Sequence, residues 1–393
     1  MTRPSLTERL AQHTAERARA SLWRRLRTID RADGPWVERE GRRLLAFCTN
    51  DYLGLAQHPQ LVAALKQAAD SDGVGSGSAH LIGGHRTAHA ALEEALAAWT
   101  GRERALLFST GYMANLGVMQ ALLQRDDLCV QDKLNHACLL DGAQLASAEL
   151  KRYPHADLDA AARQLASRSD AAALLATDGV FSMDGDIAPL AELAALCQRE
   201  GATFVVDDAH GLGVLGEHGA GSVTDAGLGQ DDVPVLMATL GKALGCSGAF
   251  VAGPADLIDG LVQSARTYIY TTAMPPALAA ATLAAVRLAQ TEGWRRDKLN
   301  ALIARFRQGA AQLGLPLMPS PTAIQPLLLG DTQAAVDVAD ALERQGLLVT
   351  AIRPPTVPQG KARLRITLSA AHEEAHVDRL LEALAGAVVA PPV

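Results

Sequence analysis

Short apolar runs alternate with longer amphipathic stretches along most of this chain, from about residue 60 to residue 285. Buried strands are indicated by the apolar runs at 105–108, 128–131, 171–176, 203–206 and 235–238. The amphipathic stretches between these runs predict helices. Such alternation is typical of a mainly parallel sheet with helices on both faces, so we predict an α/β fold here.

The two ends of the chain have different patterns. Residues 1–27 predict a polar, arginine-rich helix, and residues 37–47 predict a hairpin that turns at Glu40–Gly41. A long helix is predicted over about 276–313, with prolines in its first turn. The pattern after it predicts strands at 323–329, 347–352 and 363–368 and helices at about 332–345 and 372–385.

These patterns predict three units. They are an N-terminal helix and hairpin arm (1–48), a large domain (49–285) and a smaller α+β C-terminal domain (286–393). A length of 393 residues with 49% hydrophobic residues suffices for a sizeable core.

Composition excludes some classes of function. A formal net charge of −7 disfavours nucleic acid as a partner. The five cysteines lie at scattered positions, which favours a reducing compartment. The N-terminus lacks the apolar region of a signal peptide, and the longest mainly apolar stretch (273–286) is too short to span a bilayer. We therefore expect a cytoplasmic protein with no membrane partner.

Lys242 is the most informative single residue. It follows the buried strand at 235–238, in a loop where Gly241 and Gly245 allow close approach of backbone or ligand. A lysine at the end of a buried strand is costly unless its amine has a role. One such role is a Schiff base with an aldehyde cofactor. An ordinary surface-loop lysine is the alternative.

A second group of polar residues follows the strand at 203–206. Asp207, Asp208 and His210 fall at the carboxyl end of a strand, where open parallel sheets bind ligands. A carboxylate there suits a protonated ring nitrogen and keeps such a ring cationic, as an electron sink requires. The alternative is a helix-capping aspartate pair with a loop histidine.

Three weaker motifs also follow strands. The turn at 109–112 offers backbone N–H groups to a phosphate, and its Gly111 admits a close approach. His136 is placed to stack on a flat ring, and the loop at 177–186 has Ser182 at its centre. Each motif alone also fits a plain turn, a cap or a solvated loop.

Taken together, these motifs and the Asn-Asp-Tyr-Leu-Gly-Leu segment (50–55) resemble the fold-type-I pyridoxal-phosphate (PLP) enzymes and, more narrowly, the α-oxoamine synthases. The resemblance runs from about Leu22 to about Ala385. It implies decarboxylative condensation of an amino acid with an acyl thioester. Segments 269–276 and 351–372 favour the members that join L-alanine to a pimeloyl thioester, carried by coenzyme A or acyl carrier protein, in biotin synthesis. Glycine or serine with a different acyl-CoA is the alternative.

The resemblance also implies roles for individual residues. Lys242 matches the Schiff-base lysine, Asp207 the carboxylate on the pyridine nitrogen, and His210 and His136 the histidines beside the cofactor. Further cofactor-binding positions are matched by Gly111, Tyr112, Ser182 and Thr239. Thr271 and Thr272 match residues that reach the phosphate in the neighbouring subunit, which implies a homodimer with shared active sites.

Substrate-binding positions are matched by Asn50 and Arg353, which would hold a carboxylate, and by Thr356 and Arg24. A neighbouring arginine, Arg25 or Arg27, could serve in place of Arg24. One departure concerns the glycine loop at 73–85, where Ala79 and His80 replace the Ser-Arg pair that relatives often have.

Two further segments formally match motifs of other enzyme classes. His372, Glu373 and His376 formally match a zinc-protease pattern, but the helix that follows predicts that the histidine face points to solvent, so no metal is expected. The Gly-Leu-Gly-Val-Leu-Gly segment (211–216) formally matches a dinucleotide fingerprint but does not open a helix. A non-catalytic scaffold of the same fold is a further alternative.

Overall fold

The structure is a computed structural model that describes residues 3–19, 22–23 and 26–388. The first helix, α1, spans Leu6–Arg19 and buries none of its side chains. The prediction of a helix over 1–27 is therefore too long, since residues 26–30 are not helical. Arg24 and Arg25 lie outside the described residues.

The central sheet has seven strands in the order β4-β10-β9-β8-β7-β5-β6. Its strands are β4 (Arg104–Phe108), β5 (Leu128–Asp132), β6 (Glu149–Tyr153), β7 (Ala173–Asp178), β8 (Thr203–Asp207), β9 (Val235–Thr239) and β10 (Ala249–Gly253). Only β10 runs antiparallel to its neighbours. The predicted mainly parallel sheet is confirmed.

Helices cover both faces of this sheet. They are α2 (Pro59–Asp72), α3 (Thr87–Trp99), α4 (Gly111–Leu122), α5 (Ala137–Ala146), α6 (Leu158–Ala166), α7 (Leu190–Glu200), α8 (Ser222–Asp225), α9 (Ala255–Ser264) and α10 (Arg266–Ile269). Along β8, Val205 packs in one buried cluster while Phe204 and Val206 pack in another on the opposite face. The central strands are therefore apolar on both sides, as a covered parallel sheet requires.

Two smaller sheets flank the central one. The first has the order β1-β2-β3-β12, from β1 (Arg31–Asp33), β2 (Trp36–Arg39), β3 (Arg42–Ala46) and β12 (Leu347–Leu348). The second is antiparallel, from β11 (Ile324–Gly330), β14 (Ala362–Thr367) and β13 (Thr350–Ile352). The hairpin turn at Glu40–Gly41 is confirmed: both residues have positive φ, as a tight primed turn requires. The single strand predicted at 347–352 is instead divided between the two sheets.

The long helix predicted over 276–313 is broken in two. Helix α11 (Pro276–Thr291) ends before Glu292 and Gly293, and α12 (Trp294–Gln312) follows. Gly293 lowers helix propensity at the break. The break is held by Arg295, whose Nε donates to Glu292 Oε2 at 2.6 Å. Two further helices, α13 (Thr332–Arg344) and α14 (Glu374–Ala387), confirm the predicted C-terminal pattern.

The prediction that the His372 face points to solvent is wrong. Helix α14 begins at Glu374, so His372 precedes it and turns into the core, where it is buried and stacked on Phe47 with ring centroids 4.4 Å apart. His372 Nδ1 accepts from Ser369 N–H and its Nε2 donates to Ala46 O. Its two ring nitrogens are thus engaged with backbone, which does not suit the zinc pattern.

The division at residues 48 and 285 remains a prediction, since the largest buried cluster draws side chains from all three proposed units. Within the described part of the chain, no helix combines the length and apolar character needed to cross a membrane.

Candidate functional site

The carboxyl ends of β4, β5, β7, β8 and β9 meet at one edge of the central sheet, because these five strands run in the same direction. A cavity of about 180 Å³ lies at this edge. Its lining residues are Gly111, Tyr112, His136, Cys138, Asp178, Val180, Ser182, Asp207, Ala209, His210, Met237, Thr239 and Lys242. We call it the Lys242 pocket. A larger cavity of about 600 Å³, beside Trp99 and Glu217, is lined by none of the predicted site residues.

Lys242 lies in the loop after β9, and its amine points into the buried pocket. Its Nζ lies 2.8 Å from His210 Nε2. Burial lowers the pKa of Lys242 to about 8, although the negative charges of Asp207 and Asp178 oppose this shift. A substantial fraction of the amine is therefore neutral, and hence nucleophilic, near neutral pH.

A chain of hydrogen bonds leads away from this amine. His210 Nδ1 lies 2.7 Å from the hydroxyl of Tyr52, and that hydroxyl lies 3.2 Å from Asn50 Oδ1. The same Asn50 oxygen accepts from both terminal nitrogens of Arg365 at 3.3 Å. Burial, followed by the positive charge of Lys242, lowers the pKa of His210 well below its usual value. A neutral His210 accepts at Nε2 and donates from Nδ1 to Tyr52.

Asp207 is the last residue of β8 and is held in a fixed orientation. Its Oδ2 accepts from Asn115 Nδ2 at 2.7 Å, and its Oδ1 accepts from Ala209 N–H at 3.0 Å. Asp208 does not line the pocket. Its carboxylate is buried behind the strand, where it accepts from the backbone N–H and the hydroxyl of Ser222. The sequence placed both aspartates at the ligand edge, whereas the structure places only Asp207 there.

The turn after β4 places a helix N-terminus beside the pocket. Helix α4 begins at Gly111, and the Thr110 hydroxyl accepts from Met113 N–H at 3.2 Å. This cap leaves the N–H groups of Gly111 and Tyr112 in the first turn, where the helix dipole favours an anion. The Tyr112 hydroxyl donates to Asp141.

His136 caps helix α5 and forms a wall of the pocket. Its ring Nδ1 accepts from Cys138 N–H at 3.3 Å, and its backbone N–H donates to Asp178 Oδ1 at 3.1 Å. Burial lowers the pKa of His136, with the Asp207 charge opposing. Burial, followed by the nearby charge of Asp207, raises the pKa of Asp178. His136 is therefore a neutral ring with a fixed backbone, suited to stacking on an aromatic ligand.

The loop after β7 is tied to the small antiparallel sheet. Ser182 O accepts from Arg365 Nε at 2.6 Å, and Asp184 Oδ1 accepts from Arg363 Nη1 at 2.6 Å. At the far end of the loop, His155 Nε2 lies 2.7 Å from Asp186 Oδ2. These contacts fix the position of Ser182 at the pocket.

Several predicted site residues lie outside the pocket. Thr272 lines a neighbouring cavity with Ser109 and Gly248, and Thr271 precedes it. Arg353 Nη2 donates to Trp23 O at 2.8 Å, and Thr356 is exposed in the same turn. Neither lines the Lys242 pocket. Arg24 cannot be placed, since it lies outside the described residues, whereas Arg27 pairs with Glu343 at 3.2 Å.

Sequence reasoning missed Arg365, Tyr52 and Asn115. Arg365 is 7% exposed and belongs to β14, a strand in which every residue is buried. Two arginines, 363 and 365, interrupt this otherwise mostly apolar strand. A buried arginine needs anionic or polar partners, so arginines within an apolar strand predict a polar site beside that strand.

The donor set of the pocket fits PLP. An amine of lowered pKa faces the cavity, an oriented carboxylate lies at β8, a ring-sized wall is provided by His136, and a helix N-terminus lies beside them. The amine suits the aldehyde of PLP, and the carboxylate suits its pyridinium nitrogen. The wall suits its aromatic ring, and the helix N-terminus suits its phosphate.

Comparison with known proteins agrees with this site. Residues 42–384 match the family model for aminotransferase class I and II. The chain is 60% identical to 8-amino-7-oxononanoate synthase of Nitrosococcus oceani over 94% of this chain and 98% of that protein. Among solved structures, serine palmitoyltransferase of Sphingomonas wittichii is 32% identical with a TM-score of 0.93, covering 98% of each chain.

A serine palmitoyltransferase of S. paucimobilis with bound PLP is 28% identical with a TM-score of 0.92, again covering 98% of each chain. The solved structures also include 8-amino-7-oxononanoate synthase of Francisella tularensis, which is 30% identical with a TM-score of 0.77, covering 88% of this chain and 98% of that chain. The higher TM-scores belong to the serine palmitoyltransferases, whereas the higher identity belongs to the synthase of Nitrosococcus oceani. Sequence identity is the better guide to the substrate, because a TM-score reports backbone shape, and one fold supports many functions.

Proposed function

This chain belongs to the class I and II aminotransferase family and, within it, to the 8-amino-7-oxononanoate synthases, and from this premise we propose that the Lys242 pocket joins L-alanine to a pimeloyl thioester. It is a PLP-dependent acyltransferase of biotin synthesis. The products are 8-amino-7-oxononanoate, carbon dioxide and the free thiol. The observation that supports the proposal most is that Lys242, Asp207 and His136 line one small cavity in a chain 60% identical to such a synthase.

When bound, PLP supplies an electron sink for the negative charge that develops at Cα of the amino acid. Asp207 would hold the pyridine nitrogen protonated, and Asn115 and Ala209 keep its carboxylate in place. The first turn of α4 would bind the phosphate. His136 would lie against the ring, while Ser182 and Thr239 complete the walls.

Lys242 is the proton carrier in this proposal. Its Nζ takes the proton from Cα of alanine and later returns a proton to the product carbon. Because its pKa is lowered to about 8, the neutral amine is available at physiological pH. His210 hydrogen-bonds Nζ at 2.8 Å and so holds the amine in the pocket.

Arg365 and Asn50 would hold the alanine carboxylate. Arg365 is buried, and its terminal nitrogens and Asn50 Oδ1 lie on the hydrogen-bonded chain that ends at Lys242. A guanidinium binds a carboxylate through two parallel hydrogen bonds. This assignment keeps Asn50 from the sequence analysis and moves the cationic partner from Arg353 to Arg365.

We also propose a homodimer with shared sites in the cytoplasm. Thr272 forms a bridge with Ala79 and lines a cavity with Ser109 and Gly248, and in this proposal it would contact the phosphate bound by a neighbouring subunit. Cys48, Cys129, Cys138, Cys197 and Cys246 are free thiols. Free thiols are typical of a reducing compartment.

A turnover assay tests the function. The PLP-loaded protein is mixed with L-alanine and pimeloyl-CoA or pimeloyl-acyl carrier protein, and 8-amino-7-oxononanoate is measured by mass spectrometry. Serine with palmitoyl-CoA is the control reaction. Product from alanine and pimeloyl thioester, with little from the control, supports the proposal. A faster reaction with serine and palmitoyl-CoA would contradict it.

A further inference from the structure

Three histidines pack together where the glycine loop meets helix α3. One ring nitrogen from each of His80, His85 and His89 lies within 4.8 Å of the corresponding nitrogens of the other two. Their ring centroids are 5.2 to 5.5 Å apart. We call this group the histidine cluster. None of its members lines the Lys242 pocket, and His80 is one of the two residues that depart from the usual glycine loop.

The backbone holds the first two histidines in place. Residues His80–Gly84 form a single wide turn, which returns the chain so that His85 lies opposite His80. Gly83 has φ of 144°, and a Cβ on Gly84 would lie 2.1 Å from Ser78 O. Only glycine fits at Gly84, so the turn is fixed by close backbone packing rather than by the histidines themselves.

The orientation of the rings is also defined. His89 Nε2 lies 2.8 Å from Met274 O, so this nitrogen donates a proton and the lone pair is on Nδ1. His85 Nε2 faces Glu93 Oε2 at 3.7 Å, while its Nδ1 faces His80 Nδ1 at 2.9 Å. Histidine ligands of metals donate their other N–H to a carbonyl or carboxylate, as His89 does to Met274 O.

The surroundings favour neutral imidazoles with access from solvent. His80 and His89 are buried, and His80 is stacked on Tyr268 with centroids 5.0 Å apart. The side chain of His85 is 33% exposed, which gives an ion a route to the cluster. Neutral rings carry the lone pairs that a metal requires.

We propose that His80, His85 and His89 bind a divalent first-row transition ion such as Zn²⁺ through their Nδ1 atoms. Imidazole ligands suit Zn²⁺, Ni²⁺ and Cu²⁺ over Mg²⁺ or Ca²⁺, which prefer oxygen. Three imidazoles and one water complete a tetrahedral Zn²⁺ site. The 2.9 Å between the Nδ1 atoms of His80 and His85 is close to the spacing of two ligands on one ion.

Binding changes two hydrogen bonds. The proton between the Nδ1 atoms of His80 and His85 moves to Nε2 of the ring that carried it, so that both Nδ1 lone pairs face the ion. The Arg86 N–H, which donates to His89 Nδ1 at 2.9 Å, loses that acceptor at the start of α3. Glu93 stays opposite His85, with its Oε2 3.7 Å from His85 Nε2.

An ion here would join the glycine loop to the segment around Thr272. Ala79, next to His80, bridges to Thr272, and His89 holds Met274 O. The ion would therefore stabilise the loop beside the proposed subunit boundary. Its effect should be on thermal stability and not on the chemistry at Lys242.

Metal titration of the PLP-loaded protein tests this proposal, because PLP would occupy the Lys242 pocket and keep metal away from His136 and Cys138. The protein is treated with EDTA and dialysed, and Zn²⁺ binding is measured by calorimetry. Co²⁺ is then added, and its ligand-field absorption reports coordination geometry. We expect one Zn²⁺ per chain, a tetrahedral Co²⁺ spectrum and a higher melting temperature with metal.

His85→Gln is the main variant, since His85 is partly exposed and lies outside the catalytic pocket; it should weaken Zn²⁺ binding at least about tenfold. His218→Gln removes an exposed histidine elsewhere and should leave binding unchanged. If His85→Gln loses stability, His80→Gln and the Co²⁺ spectrum of the wild-type protein provide the second measurement. Absence of binding in the wild-type protein, or equal binding by wild type and His85→Gln, would overturn the proposal.

Discussion

The Lys242 pocket and the histidine cluster both contain neutral imidazoles, yet they are built in opposite ways. The pocket is lined by residues from the ends of several strands, between Gly111 and Lys242, and hydrogen bonds connect it to Asn50 and Arg365. The cluster uses ten consecutive positions, 80–89, folded by one glycine turn. The pocket therefore depends on the whole sheet, whereas the cluster depends on a local turn and the first turn of a helix.

This difference explains what the sequence could predict. Lys242, Asp207, His136 and Ser182 each follow an apolar run, and parallel strands place such residues at one edge. The sequence therefore predicted which residues meet. It did not show which of the two adjacent aspartates faces the pocket. Successive side chains point to opposite sides, and Asp208 is the one that turns away to Ser222.

Long-range partners were harder to predict. Arg365 reaches Asn50 across 315 positions, and nothing local marks that pairing. Arg353 was chosen from a motif, but its turn places it against Trp23 O. The break in the helix at Gly293 depends on a distant residue, because Arg295 beside it donates to Leu53 O. The inward turn of His372 depends in the same way on its packing against Phe47.

The largest expected effect is a loss of kcat, and it should distinguish the two aspartates after β8. Asp207→Asn should lower kcat about 10²- to 10⁴-fold, because the amide cannot hold a ring nitrogen protonated. Steady-state kinetics with alanine and pimeloyl-CoA measures this. Asp208→Asn is the matched control, and it should lower the melting temperature more than kcat, since Asp208 accepts two hydrogen bonds from Ser222. Equal losses of kcat in both variants would contradict the assignment of Asp207 to the cofactor and of Asp208 to the fold.

The next largest effect is on the KM for alanine, and it should distinguish Arg365 from Arg353. Arg365→Lys should raise KM for alanine about 10- to 100-fold, because lysine cannot make the paired hydrogen bonds of a guanidinium. Arg353→Lys should change KM by less than about threefold, as expected of a residue outside the pocket. A larger effect at Arg353 would restore the assignment made from sequence.

A smaller effect concerns the pH dependence of the pocket. Burial lowers the pKa of Lys242 to about 8, so its neutral fraction reaches one half near that pH and levels off above it. The rate at which the apoprotein captures PLP, followed by absorbance, should show the same profile. A rate that continues to rise through pH 10 would indicate an ordinary, solvated lysine.

The smallest effect tests the loop that carries Ser182. Burial alone would lower the pKa of His155, but hydrogen bonds to Asp132 and Asp186 raise it to about 10. Because the folded pKa lies above the unfolded value, this charge stabilises the fold fully below about pH 6.5 and ceases to do so as pH rises through 10. His155→Gln should cost about 1–2 kcal/mol at pH 6 and less at pH 10. Chemical denaturation at both pH values measures this, and a pH-independent loss would exclude a charged His155.

The central claim is that the Lys242 amine bonds to the cofactor aldehyde, and borohydride reduction followed by peptide mass spectrometry tests it most directly. The account predicts that reduction fixes one PLP per chain on the peptide containing Lys242. The Lys242→Ala variant should fix none there, while Lys66→Ala, which changes an exposed lysine of α2, should behave as the wild type. Labelling of another lysine, or no labelling of a PLP-saturated wild-type protein, would contradict the account.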